Sequence, residues 1–253
     1  MTQRQPSIDE MGTQIKAIER RWAPIVPRSS GLMVRLDGKN FSSWTKEFES
    51  PFDSRISDAF DETLAELMRE YRPAVGYTQS DEISLSWFPP DPGSTTEHVF
   101  GGKTLKIASV LASSCTAIFN DVIEWKPRPA LFDARVFAVT LDEGILATRW
   151  RIQDALRNGV NSVASSHFSH RELMGVSTGE RRRLLADKGV DLGEFDDRHM
   201  GGLMLGWDMV EMGDDRYREI PEQHRPAERP LVSTLVPVDP VSALRNQLQG
   251  ILG

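Results

Sequence analysis

Gly76-Tyr77-Thr78-Gln79-Ser80-Asp81-Glu82-Ile83-Ser84-Leu85 is the stretch from which the fold can be read. Residues 74–79 read as one strand, Ser80 and Asp81 as a tight turn, and Ile83–Phe88 as the strand returning beside the first. Ile83, Leu85 and Trp87 alternate with Ser84 and Ser86, a pattern that suggests a sheet with one covered face. Working outward toward the N-terminus, Ile56, Phe60, Leu64, Leu67 and Met68 recur at helical spacing. Asp53 or Ser54 caps that helix and Pro73 closes it. Before it, Gly31–Leu36 is a compact apolar run that stops at Asp37-Gly38. In the other direction, Pro89, Pro90, Pro92 and Gly93 mark a loop that leads to a helix near 103–120. Leu105, Ala108, Leu111, Ala112, Cys115 and Phe119 are its expected buried side, and a strand at about 133–140 follows. The fold class is therefore α+β, with an antiparallel sheet of βαββαβ, ferredoxin-like order and added helices. In that order the first two strands run parallel and the third lies antiparallel between them. Asp37 and Asp81, some forty residues apart, are expected to meet at one sheet edge.

The flanks are less regular. Residues 7–22 read as an opening helix, with Ser7 and Glu10 as a capping box and Met11, Ile15, Ile18 and Trp22 at helical spacing. A long helix is expected at about 145–168, with Leu146, Trp150, Leu156, Val160 and Val163 on one face. A short one follows, opened by Ser177 and Glu180 and closed by Lys188-Gly189. Residues 203–210 suit a further strand. Pro221 to Pro240 is proline-rich and reads as irregular, before an amphipathic tail of Val241, Leu244, Leu248 and Leu252. This gives one unit over residues 1–200, opening helix included. Residues 201–253 form a C-terminal extension, packed on the same unit or in an oligomer interface.

Composition excludes little. An apolar fraction of 39% and a charged fraction of 26% over 253 residues are ordinary for a globular chain. No run approaches the ~18 apolar residues of a membrane span, so no membrane partner is expected. The N-terminus carries Arg4, Asp9 and Glu10 and has no secretory signal pattern. Cys115 is the single cysteine, which forbids an internal disulfide and suits the cytoplasm. A net charge of −7 is awkward for a nucleic-acid partner, but a local basic patch is enough.

Carboxylates where apolar strands stop are costly unless something positive lies among them, and a hard divalent cation is the usual answer. Asp37, the Gly38 carbonyl and Asp81 have the character of ligands for a pair of magnesium ions. A turn at Asp37-Gly38 with a solvated hairpin tip at Asp81-Glu82 fits the pattern as well, and the acids alone leave both open. The surrounding residues favour the metal. Gly38 permits close approach of backbone to phosphate, and Lys39, Asn40 and Ser80 are donors for phosphate or ribose oxygens. Lys103 and Lys106, one turn apart near a helix start, are placed to hold a triphosphate tail, although taken alone the two lysines fit a solvated helix face better. Other features carry less. Gly102-Lys103-Thr104 is no P-loop, since Glu97 stands where the first glycine belongs. His167 and His170 lack further zinc ligands, Arg181-Arg182-Arg183 suits RNA backbone or a solvated face equally, and Cys115 sits on an apolar face.

At these residues the sequence resembles the tRNA-His guanylyltransferase family and its broader group of guanylyltransferase-like 3′-to-5′ polymerases, as a bacterial or phage-type member. The resemblance rests on Val34–Phe41, Gln79-Ser80-Asp81-Glu82 and Phe132–Val136. Trp150-Arg151, Asp154, Asn158, Leu185–Lys188 and the opening helix with Gly12, Lys16 and Glu19 add to it. It implies a palm of the polymerase and nucleotidyl-cyclase kind and a tRNA partner, with ATP and GTP (or another NTP) as substrates and two Mg2+ ions as cofactor. It also implies a homotetramer. Asp37, Asp81 and Glu82 would be the catalytic acids, with the metals on Asp37, Gly38 and Asp81. Lys39, Asn40, Phe41, Ser80 and Lys106 would line the nucleotide site, and Lys103 joins them from its place one turn before Lys106. Asp133, Arg135, Asn158 and Lys188 match family positions, and with Arg151 and Arg182 they are the candidates to meet RNA or a second nucleotide. Eukaryotic members carry His-Ile-Asn-Asn after Trp-Arg, where this chain has Leu156-Arg157-Asn158-Gly159. That departure favours template-directed repair of tRNA 5′ ends over single guanylate addition to tRNA-His. The rival readings are a palm-fold nucleotide cyclase without RNA and a non-catalytic ferredoxin-like RNA-binding module.

Overall fold

The computed structural model describes residues 8–21, 23–88, 97–211 and 231–237. In chain order the elements are α1 (Ile8–Arg21), β1 (Gly31–Gly38), α2 (Phe41–Trp44), α3 (Ser54–Tyr71), β2 (Val75–Gln79) and β3 (Glu82–Trp87). Next come α4 (Thr104–Val122), β4 (Phe132–Val139), α5 (Leu141–His167), α6 (His170–Leu173), α7 (Thr178–Asp187), α8 (Asp197–Gly201), β5 (Leu203–Glu211) and β6 (Leu231–Pro237). The strands form one sheet in the order β4-β1-β3-β2-β5-β6, each paired antiparallel with its neighbour. As expected from the hairpin, β3 lies between β1 and β2.

Helices cover both faces of this sheet. On one, Leu32, Val34, Leu36, Ile83 and Leu85 pack against Phe60, Leu64 and Leu67 of α3 and Ile107, Leu111 and Phe119 of α4, all fully buried. Burying a side chain of this size is worth about 1.5–3 kcal/mol, so this layer is the main source of hydrophobic stabilisation. On the other face α5 crosses the sheet, and Ala155 joins Val75, Tyr77 and Met204 with Ile145 and Ile152 around them. Ser84 and Ser86 are therefore buried rather than solvated. The expectation of one covered face fails because α5 lies over the serines.

Two helix faces also differ from the sequence reading. Leu105 is exposed on α4, which buries Ile107, Leu111, Cys115 and Phe119. By length and composition α4 could span a membrane, but its apolar stripe is spent on this core. On α5, Leu146 (68% exposed) and Trp150 (51%) face outward, and Gly144, Thr148, Arg151, Ala155 and Gly159 face the protein. Small residues let the helix approach closely: a Cβ on Gly144 would meet the Phe88 ring at 2.6 Å, and one on Gly159 would meet Met200 at 3.1 Å. Apolar periodicity placed Val160 and Val163 correctly, both fully buried, but pointed the wrong way at Leu146 and Trp150, where closeness rather than hydrophobicity selects the inward stripe.

Capping was readable. Asp53 caps α3, and Ser177 with Glu180 forms a capping box on α7. Ser7, Trp22 and the tail from 241 lie outside the described residues. Residues 231–237, expected to be irregular, form β6. β5 continues the sheet beyond β2, where Tyr77 donates to the Gly201 carbonyl at 2.6 Å and Trp207 Nε1 to the Pro73 carbonyl at 2.7 Å.

Candidate active site

The end of β1 and the β2–β3 turn form one acidic corner. Ser80 has a positive φ of 49°, which closes the turn in two residues, and the Gly38 N–H donates to the Asp81 carbonyl at 3.0 Å. Gly38 is required here: a Cβ would lie 2.6 Å from the Phe41 ring and 3.1 Å from the Asp81 Cβ. In register, Asp37 stands between Glu82 of β3 and Asp133 of β4. Burial first, then the neighbouring Asp37 and Glu82 charges, push the Asp81 carboxyl up to about 6. A backbone hydrogen bond and the Ser80 hydroxyl, 3.3 Å away, hold it back. Arg135 approaches Asp37 at 3.5 Å from the exposed side.

Among the described residues Asp81 forms no ion pair, and a half-buried carboxylate beside the Asp37 and Glu82 charges suits a divalent cation. Asp37, Asp81 and the Gly38 carbonyl are the groups that would hold it. Among the described residues no three Asp, Glu, His or Cys side chains make a ready cage. Magnesium does not need one, since it keeps water and phosphate oxygens and takes one or two carboxylates.

Glu82, expected among the catalytic acids, is turned toward α5. It forms ion pairs with Arg151 and, at 3.6 Å, with Arg35, and accepts from Gln79 Nε2 at 2.8 Å. Its carboxylate is committed to those partners. Arg151, expected at RNA or a second nucleotide, is only 8% exposed and ion-paired, so it presents no surface to either.

Beside Asp81 a cavity of about 520 Å³ opens between the α2–α3 connection, α5 and α8. Phe41 forms part of its floor and belongs to an aromatic cluster, stacking on Trp44 at 4.7 Å. Gln79, Ser80 and Asp81 line one end, and Asn158 and Ser162 project from α5. Lys46 lines it too, as do Phe52 and His199, whose rings stack at 4.9 Å with an interplanar angle of 3°. Sequence reasoning missed Lys46, Phe52, Ser162 and His199. They carry no motif and converge only when three separate segments fold together.

The remaining expected residues divide. Lys39 and Asn40 are exposed just past β1, where the Lys39 N–H donates to Leu131 and Asn40 takes the left-handed conformation that starts α2. Asp133 and Arg135 are exposed on β4 beside Asp37. Lys103 and Lys106 are a correction: α4 begins at the opposite end of the sheet, where Lys103 bridges Ile25 and Lys106 lies over Phe100. Its C-terminal end, not its N-terminus, approaches the acidic corner, through Asn120 and Ala130. The reason is topological, because a helix that follows β3 must start where β3 ends. Lys188 donates to the His167 carbonyl at 2.6 Å and closes the end of α5, and Arg182 is exposed on α7.

A family model described as tRNAHis guanylyltransferase (Thg1) matches residues 12–140. The chain belongs to the tRNAHis guanylyltransferase family. Its members are nucleotidyltransferases. A bacterial tRNA(His) guanylyltransferase (Thg1)-like protein in complex with ATP matches with a TM-score of 0.77 at 26% identity, over 97% of this chain and 99% of that one. A GTP complex of a bacterial Thg1-like protein matches at 0.75 and 26% identity, over 96% and 98%. The Saccharomyces cerevisiae enzyme shares the fold, with a TM-score of 0.63 at 20% identity over 74% of this chain and 91% of its own. Among curated sequences, an uncharacterized protein of Acanthamoeba polyphaga mimivirus is 26% identical over 205 residues, covering 71% of this chain and 70% of that protein. The guanylyltransferase match takes in β1, the hairpin and β4, and so includes the whole acidic corner.

Proposed function

We propose that this chain is a magnesium-dependent nucleotidyltransferase that adds nucleotides to the 5′ end of tRNA in the 3′-to-5′ direction. The observation that carries the reading is the Asp37–Asp81 corner at the mouth of a cavity of nucleotide size, in a family with ATP- and GTP-bound relatives. The acids at the end of β1 and at the β2–β3 turn are read as those of a polymerase or cyclase palm. Magnesium ions on Asp37, Asp81 and the Gly38 carbonyl would offset phosphate charge and align the attacking and leaving oxygens. An oxygen of the RNA 5′-phosphate attacks the α-phosphate of ATP or GTP and releases pyrophosphate. The 3′-hydroxyl of an incoming nucleotide then attacks the activated 5′-phosphate and releases AMP or GMP. Pyrophosphate is removed from the new 5′ end where required. Lys46 and Ser80 bind phosphate oxygens, Asn158 and Ser162 meet the ribose or base, and Arg135 with Lys39 guides the RNA end past Asp37.

Template-directed repair is the preferred form of this activity, supported by Leu156-Arg157-Asn158-Gly159 where eukaryotic relatives carry His-Ile-Asn-Asn. A homotetramer in the cytoplasm belongs to the same reading. The test is incubation with magnesium, ATP, labelled GTP and 5′-monophosphorylated tRNAs, intact or lacking the first nucleotide. Label at the 5′ end, lost in Asp37→Ala and Asp81→Ala, supports the reading, and preference for truncated tRNA whatever its anticodon supports repair. Magnesium-dependent consumption of GTP with no transfer to RNA would replace it by a cyclase-like activity.

A further inference from the structure

Arg151 projects from the middle of α5 into the protein. It reaches the sheet to ion-pair with Glu82 of β3, and lies 3.1 Å from Asp154 Oδ2 one turn along its own helix. Both contacts continue. Glu82 follows Asp81 directly and holds Gln79, a residue of the cavity wall. Asp154 accepts from Arg157 at 2.6 Å and from Asn158 Nδ2 at 3.5 Å, and Asn158 lines the same cavity from α5. An unbroken line of charged and polar groups thus joins the acidic hairpin to the helix facing it.

Stability is a poor explanation for this line. Taking charges out of water offsets much of what a buried pair gains, and apolar residues of equal volume often serve as well. The Nε atoms of both Arg35 and Arg151 are buried without a hydrogen-bond partner, so the network leaves donors unsatisfied. What it does specify is direction. A planar guanidinium shared between two carboxylates fixes their separation and orientation.

We infer that Arg151 is a positioning residue that holds the Asp81-Glu82 hairpin and the Asn158 segment of α5 at a fixed spacing across the cavity. The inference rests on the reading of Asp37 and Asp81 as metal ligands. It assigns different consequences to the two links. Loss of the Arg151–Glu82 link frees the hairpin, and with it the metal carboxylate. Loss of Asp154 frees Asn158 and leaves the hairpin held.

The test compares full-length wild type with Arg151→Met/Glu82→Gln, Arg151→Lys and Asp154→Asn. It measures thermal melting, Mn2+ binding by electron paramagnetic resonance, Mn2+-ATP binding by calorimetry, and KM and kcat for RNA 5′-adenylylation. The double variant buries no lone partner from this pair, so it melts near wild type. It nevertheless binds Mn2+ at least fivefold more weakly and loses at least tenfold in kcat. Asp154→Asn binds Mn2+ within twofold of wild type and raises the Mn2+-ATP dissociation constant and KM at least fivefold. Arg151→Lys falls between wild type and the double variant. Wild-type binding of both ligands by the double variant would overturn the inference. So would a loss of both ligands in every variant in step with its loss of melting temperature. Failure of wild type to bind Mn2+ would overturn it together with the metal reading. If wild type binds Mn2+ and ATP but transfers nothing to RNA, the proposed function falls and the binding measurements still decide the role of Arg151.

Discussion

Asp81 shows how a single side chain can be destabilising in the protein alone and useful in its complex. Its carboxyl, raised to about 6 by burial and by Asp37, holds a proton in the folded chain over a range where the unfolded chain has lost it. Stability from this residue is therefore full below pH ~4 and falls as pH rises through about 6. In the metal-free protein at pH 7.5, Asp81→Asn should add about 1 kcal/mol, allowing for solvent at a half-buried group, and the gain should shrink by pH 5. Thermal melting in EDTA at the two pH values checks this, and the same variant should lose nucleotidyl transfer. Gly38 is constrained differently. Gly38→Ala would drive a methyl into Phe41, which is locked against Trp44, Phe60, Phe119 and Phe132. A loss of about 1–3 kcal/mol in urea unfolding is expected, with at least tenfold lower activity, because the hairpin must move away from Asp37. Lys46→Met tests the cation that sequence reasoning missed. It should raise KM for the nucleotide about tenfold at unchanged melting temperature.

At the scale of elements, α3 and α5 bring the site together. Asp53 starts α3 and lines the cavity. The Arg55 guanidinium, bonded at 2.6 and 2.9 Å, and the Glu49 and Arg55 backbone N–H groups hold its carboxyl down at about 2 against the opposing effect of burial. The sign is opposite to that of Asp81: the contribution is present above pH ~4 and lost as pH falls through about 2. Asp53→Asn keeps a capping side chain and removes the charge. It should cost about 1–2 kcal/mol at pH 7, a figure reduced for the half-exposed Arg55, and the difference from wild type should vanish toward pH 2. Chemical denaturation across that range measures it. The capping signals of α3 and α7 were legible because they are local, a side chain bonding backbone two or three residues away. The inward stripe of α5 was not, since Gly144, Arg151 and Gly159 look unlike a core face until Phe88, Glu82 and Met200 are brought against them.

Across the whole molecule, Leu203–Glu211 and Leu231–Pro237 are strands of the one sheet rather than a separate appendage. β5 pairs with β2, and the Tyr77–Gly201 and Trp207–Pro73 hydrogen bonds cross the junction. Gly202 turns at φ 83°, where a Cβ would fall 2.4 Å from the Thr78 carbonyl oxygen. A chain ended after Met200 would uncover the edge of β2 and strip Met204 from its packing against Val75 and Tyr77. It should be poorly soluble and show no cooperative thermal transition. A truncated chain that melts cooperatively near the full-length temperature would show that the later residues are dispensable.

The sequence by itself determined what is set by neighbours and alternation: strands β1 to β5, the hairpin turn, the caps of α3 and α7, and the meeting of Asp37 with Asp81 through strand order. It also carried the family, through short motifs at β1 and the hairpin. Only tertiary structure decided which residues share a space without sharing a segment. It moved Lys103 and Lys106 to the far end of the sheet, because a helix must begin where its preceding strand ends. It turned Glu82 from the acidic corner toward Arg151, and it gathered Lys46, Phe52 and His199 into one cavity. Local pattern fixes the direction of each side chain relative to its own backbone. What that side chain meets depends on how separate elements pack, and packing is set by the whole chain at once.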